Sequence, residues 1–179
     1  MFVFEPNKYQ IKNGIAIFET KSGISFIVDV DDVEKILDYG WNVNKKGYVV
    51  ASSRHRTKNG RINLRLHRLI TDCPSHMVVD HINHDTLDNR KSNLRVCTQD
   101  ENMRNRNPDR HSKSGIKGVY PENGKWRAMI SYNRKQYRLG TFADINEAIQ
   151  ARQKAEVHFY GDFANLQNTE GIYENRLEA

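Results

Sequence analysis

Four residues in the middle of the chain have types and spacing that can do chemistry together: Asp80, His81, Asn93 and Asn102. A carboxylate and an amide oxygen form a hard-oxygen donor pair suited to Mg²⁺ or Mn²⁺, with waters completing the shell. A neutral imidazole beside such a cation is a candidate general base on water. Asp80 and His81 are adjacent, so on a strand they point to opposite faces and share a site only where the strand bends or twists tightly. An Asp-His pair alone is more often a hydrogen-bonded structural pair. The two asparagines make it a candidate centre.

The elements that must position these residues can be read around them. Val78 to Ile82 reads as a strand, Asn83 to Lys91 as a polar loop, and Asn93 to Cys97 as a second strand. Thr98-Gln99-Asp100-Glu101 is a capping box and starts a helix bearing Asn102, Met103 and Arg106. This order brings Asn102 back beside the first strand. Upstream, Leu66, Leu69 and Ile70 sit at helical spacing before Pro74, which puts His67 on a short helix with a buried structural role. His76 and His84 fall in turn-rich stretches. In the loop, Asp88, Asn89 and Arg90 are expected to bond backbone. Arg90 and Arg95 are equally candidates for phosphate contact.

The stretch from Leu66-His67-Arg68-Leu69-Ile70 through Val79-Asp80-His81-Ile82-Asn83, Asn89-Arg90-Lys91-Ser92-Asn93-Leu94-Arg95 and Asn102 resembles the phage-type HNH homing endonucleases. The resemblance implies a ββα-metal core in which His81 activates water and Asn93 orients His81. It implies that Asp80 and Asn102 hold one divalent metal, Mg (or Mn). The third motif letter is Asn102 rather than His, as in the phage subgroup, and the CxxC pairs of zinc-stabilised branches are absent. The implied reaction is metal-dependent hydrolysis of a phosphodiester in double-stranded DNA. One site per chain implies a nick, and a double-strand break only from two chains, such as a homodimer on DNA. A DNA-binding protein with a decayed site, and a structural or interaction module, are the alternatives. Retention of all four residues argues against decay.

Downstream, Ser114-Gly115-Ile116-Lys117-Gly118-Val119-Tyr120, Trp126-Arg127-Ala128-Met129-Ile130 and Arg138-Leu139-Gly140-Thr141-Phe142 resemble the plant ethylene-response-factor (Apetala-type) DNA-binding domain. That likeness implies a three-stranded antiparallel sheet in the major groove, backed by one helix. Strands are expected over Lys117–Tyr120, Trp126–Tyr132 and Gln136–Leu139, and a helix over Ile145 to Tyr160. One sheet face is expected to carry Lys117, Lys125, Arg127, Arg134 and Arg138 with Tyr120 and Tyr132 between them. Tyr120, Met129 and Ser131 stand where plant proteins use base-reading arginines, so the plant sequence preference does not transfer.

The fold class expected is α+β, in five parts. Residues 1–62 form a mixed β segment of unassigned role, 63–107 the nuclease core, 108–113 a linker, 114–166 the sheet with its helix, and 167–179 a tail. Asn13-Gly14 marks a hairpin, Ile24 to Val30 a strand, and Asp31-Asp32 caps for a short helix with Val33, Ile36 and Leu37. A further hairpin joins Gly47–Ala51 to Arg61–Leu64 near Asn59-Gly60. Net charge is +6 and uneven: −1 over residues 1–50, +4 over 51–100, +7 over 101–140 and −4 over 141–179. A basic middle suits a polyanion. Two cysteines give no disulfide framework, and no apolar run approaches the ~18 residues of a membrane span. The first residues lack a signal-peptide pattern. An intracellular protein with no membrane partner is expected.

Overall fold

The structure is a computed structural model that describes residues 7–57, 60–108 and 112–165, apart from the side chains of 52–63. The turn at Asn59, residues 109–111 of the expected linker and the 167–179 tail lie outside the described residues. The architecture is mixed α+β, built of small antiparallel sheets and few helices. The chain divides into two compact units, Met1–Gln99 and Asp100–Ala179. The seam expected at residue 62 runs through a strand of the first unit.

In the first unit, β1 (Lys8–Lys12), β2 (Ile15–Glu19) and β3 (Ser25–Asp29) form an antiparallel meander. The turn between β1 and β2 uses Asn13 and Gly14 at φ 51° and 75°, the left-handed pair that tight hairpins demand. Alternation along β2 and β3 buries Ala16, Phe18, Phe26 and Val28. The helix α1 (Val33–Ile36) follows a 3-10 turn. Neither Asp31 nor Asp32 supplies the expected side-chain cap; buried Asp32 instead takes Lys91 Nζ at 2.9 Å.

The second sheet has the order β4 (Trp41–Val43), β5 (Val49–Thr57), β6 (Gly60–Arg65). It leads directly into α2 (Leu66–Ile70) and then the hairpin of β7 (Val78–His81) and β8 (Leu94–Cys97). One core joins these pieces: Phe18, Phe26, Ile36, Trp41, Val49 and Leu66 pack with Val79 and Leu94. Each such side chain contributes about 1.5–3 kcal/mol on burial. The N-terminal segment is thus the wall against which the β7–β8 hairpin is built.

The second unit opens in α3 (Gln99–Arg104) and holds a sheet of order β11-β10-β9: β9 (Val119–Glu122), β10 (Lys125–Tyr132) and β11 (Lys135–Phe142). β10 and β11 extend beyond the bounds expected for them, whereas β9 keeps its expected length but lies two residues later, leaving Lys117 and Gly118 outside it. α4 (Ile145–Tyr160), with the bounds expected for it, packs Ala148, Ile149 and Ala155 against Val119, Ala128 and Ile130. Asp144 caps its start and Gly161, at φ 53°, ends it. Among the described residues no helix is long and apolar enough to cross a membrane. Cys73 and Cys97 are free.

Candidate active site

β7 ends in Asp80 and His81, both buried. Opposite Asp80 on β8 stands Arg95, whose Nε and Nη2 reach Asp80 Oδ2 at 2.8 and 2.6 Å. The His81 imidazole packs edge-to-face on His67, with centroids 5.2 Å apart and planes at 89°. Tyr48 flanks both rings, at 5.4 Å from His67 and 6.1 Å from His81. A short helix, a strand and a turn from three places in the sequence thus fix the face that His81 presents.

The loop after His81 is held by its own polar side chains and by the N-terminal sheet. Asn83 Oδ1 accepts from Asp85 N–H, and Asp85 Oδ1 accepts from Leu87 N–H. Asp88, buried, takes Arg90 on both oxygens, at 2.8 and 2.6 Å, and Asn83 Nδ2 on one. That guanidinium holds the Asp88 carboxyl below the usual carboxylate range. Ile27 of β3 donates to Leu87 O and accepts from Asn89 N–H, both at 2.9 Å. Lys91 N–H donates to Asp29 Oδ2, and Thr86 Oγ1 to Gly47 O. The first sixty residues therefore clamp the loop that follows the histidine.

Asn93 closes a 3-10 turn, Lys91–Asn93, immediately before β8 rather than opening the strand. Its amide spans the loop: Oδ1 accepts from Asn83 N–H at 2.9 Å and Nδ2 donates to Asp88 O at 2.8 Å. Buried Asn89 lies beside the His81 imidazole, and its side chain favours the ring's charged form. Burial pushes the His81 pKa below 6.5, while Asn89, Asp80, Asp85 and Asp88 pull it back up. The ring is neutral at rest and faces groups that stabilise a proton once it has taken one.

Burial holds His67 down at about 3, helped by His81, Arg65 and Arg68, and its Nδ1 is buried with no hydrogen-bond partner. A folded-state pKa lowered from 6.5 means stability that is present above pH 6.5 and lost as pH falls towards 3. We expect the unfolding free energy of wild type, relative to a His67→Gln variant, to drop by about 1.4 kcal/mol per pH unit below pH ~6. Urea unfolding of both proteins at several pH values measures it, and parallel stability curves would contradict it.

Asn102 lies on α3, half-buried. An Asp carboxylate and an Asn amide are the donor types that the resemblance implies for the metal. Among the described residues no three His, Cys, Asp or Glu gather as a metal cluster. That donor set suits Mg²⁺, which takes one or two protein oxygens and keeps several waters, better than zinc with its closed shell. A cation at Asp80 must share the carboxylate with Arg95.

The expected DNA-facing residues divide. β-register puts Tyr120, Arg127 and Thr141 side by side, and Met129 beside Arg138, on the face away from α4. Lys125 lies on that face opposite Glu122. Lys117 does not join them: its Nζ donates to Met103 O and Arg104 O at 2.7 and 3.1 Å. Tyr132 faces α4, its ring tilted against Phe159 and Tyr160. Arg134 occupies the β10–β11 turn at φ 62°, exposed. Alternation along β10 and β11 could have excluded Tyr132; the Lys117 contacts depend on tertiary approach. Glu122, whose two oxygens take Arg127 and Arg138, was missed, as were Tyr48 and the contact of His67 with His81.

No solved structure matches the chain. An uncharacterized HNH endonuclease of Acanthamoeba polyphaga mimivirus is 26% identical over 148 residues, covering 79% of this chain and 74% of the viral protein. Residues 71–104 match the family model described as HNH endonuclease, a stretch that contains Asp80, His81, Asn93 and Asn102 together.

Proposed function

We propose that the chain is a metal-dependent HNH DNA endonuclease, site-specific and of the homing type found in phages and mobile elements. The observation that carries the reading is the buried Asp80-His81 pair at the end of β7, inside the matched stretch, with its loop held from three sides. His81, neutral at rest, takes a proton from the water that attacks phosphorus, and the bond to the 3′-oxygen breaks. Asn89 and the carboxylates of the loop stabilise the imidazolium that results. Asn93 keeps the loop closed around the ring. Asp80 and Asn102 would hold one Mg²⁺ (or Mn²⁺), which when bound offsets charge on the scissile phosphate and the leaving oxygen. The C-terminal sheet binds double-stranded DNA in the manner of the ethylene-response-factor domain, and tethering raises the local concentration of DNA at the site. A single chain nicks, and a homodimer on DNA cuts both strands.

Supercoiled plasmid tests this. Wild type with Mg²⁺ or Mn²⁺ is expected to nick or linearise it, EDTA to stop the reaction, and Asp80→Asn to slow it about 100-fold or more. Salt-sensitive DNA binding without cleavage of plasmid or of the parent genome would instead favour a DNA-binding protein whose site has decayed.

A further inference from the structure

Charge is unevenly spread over the second unit. On the outward face of its sheet, Glu122 takes Arg127 Nη1 at 2.6 Å and Arg138 Nη2 at 2.8 Å. One carboxylate thus offsets and holds two of the arginines expected to meet DNA. Beside that face lies a cleft of about 500 Å³, bordered by the end of α3, the start of β9 and the β10–β11 turn. Arg104, Arg106 and Arg134 line it against the single carboxylate of Asp100. Arg106 and Arg134 are exposed, and among the described residues neither has an ion-pair partner.

The cleft is built rather than incidental. Arg104 lies over the rings of Tyr132 and Tyr160, at 5.0 and 5.7 Å, which holds its guanidinium in place. Lys117 ties the last carbonyls of α3 to the sheet, and burial lowers its pKa to about 8. Arg134 holds the second left-handed position of the two-residue β10–β11 turn, after Asn133. Tyr120 and Ser131 belong both to the cleft wall and to the outward face, so the two surfaces are continuous.

We propose that this cleft binds the sugar–phosphate backbone of one strand of duplex DNA, as an extension of the track across the outward face. The inference rests on the DNA-binding part of the function proposed above. Arg104, Arg106 and Arg134 neutralise phosphates, and the exposed Tyr120 ring packs on deoxyribose at the lip. The cleft supplies sequence-independent affinity and register, while Arg127 and Arg138, oriented by Glu122, face the groove.

The test uses the full chain in EDTA and fluorescence anisotropy with a mixed-sequence duplex over a range of salt concentrations. For Arg106→Gln/Arg134→Gln, the slope of log affinity against log salt is expected to fall by about 1.8, at about 0.9 per phosphate contact, with affinity down on the order of tenfold. Lys12→Gln/Lys154→Gln removes the same charge from exposed sites elsewhere and is expected to keep the wild-type slope. Thermal melts matching wild type establish that both variants are folded. Wild-type slope and affinity in the cleft variant, or an equal drop in the control, overturns the proposal. Loss of polyglutamate binding with duplex binding intact would assign the cleft to an acidic peptide and overturns it too. Absence of salt-sensitive duplex binding by wild type sinks the DNA-binding reading itself.

Discussion

His81→Ala is expected to cut the rate of DNA cleavage by roughly 10²- to 10⁴-fold while leaving DNA affinity within about twofold of wild type. The split follows from the position of the ring. His81 is buried at the end of β7 against His67 and Tyr48, and the exposed arginines proposed to contact DNA belong to the other unit. The pH profile carries the sign. Burial lowers the imidazole pKa, so the base is already neutral at pH 7, and the rate plateau should extend further into acid than an ordinary histidine near pH ~6.5 allows. Asn89→Ala removes a group that favours the charged ring and should shift the acidic limb lower still, with a smaller loss of rate. Cleavage unchanged in His81→Ala would place the base elsewhere. An acidic limb above pH ~6.5 would contradict the environment described for the ring.

The order strand–loop–strand around the site was legible because its signals are local: the apolar run ending at Asp80-His81, the turn-forming residues of the loop and the capping box at Thr98. Local signals also located α4, whose Ala148, Ala151, Ala155 and Phe159 recur at helical spacing. They could not locate β4, three residues long, which is a strand only because β5 pairs with it. Nor could they assign the first sixty residues. Their role depends on Ile27 bonding the loop at Leu87 and Asn89, contacts more than fifty positions apart in sequence. The likeness to a three-stranded DNA reader pooled Lys117, Lys125, Arg127, Arg134 and Arg138 on one basic face. Tertiary contacts separate them: Glu122 takes Arg127 and Arg138, and Lys117, outside the strands, turns to α3.

Arg152→Met is expected to destabilise the second unit by about 3–5 kcal/mol, because it strands a buried carboxylate. Arg152 and Glu156 are one helical turn apart on α4, 3% and 4% exposed. Nε and Nη2 of the arginine donate to Glu156 Oε1 at 3.0 and 2.7 Å, and Nη1 donates to the Met129 carbonyl. Met129 adjoins the register shift in β10, and its carbonyl accepts from the guanidinium there. Gly118 belongs to the same lock: a β-carbon there would meet the Met129 oxygen at 2.4 Å and Arg152 Nη1 at 2.9 Å. Burial pushes the Glu156 carboxyl up, against the pull of Arg152. A raised folded pKa means stability that is present at acid pH and lost as pH rises through it, so the Arg152→Met penalty should grow from pH ~4.5 upward. Replacing both partners, Arg152→Met with Glu156→Leu, should recover most of the loss, since no charge is then left buried. Trp126 packs on the core of this unit and Trp41 on the core of the other, so urea unfolding in Trp41→Phe and Trp126→Phe backgrounds follows each unit separately. A double variant less stable than Arg152→Met alone would show that the Met129 carbonyl, and not the stranded carboxylate, dominates the cost.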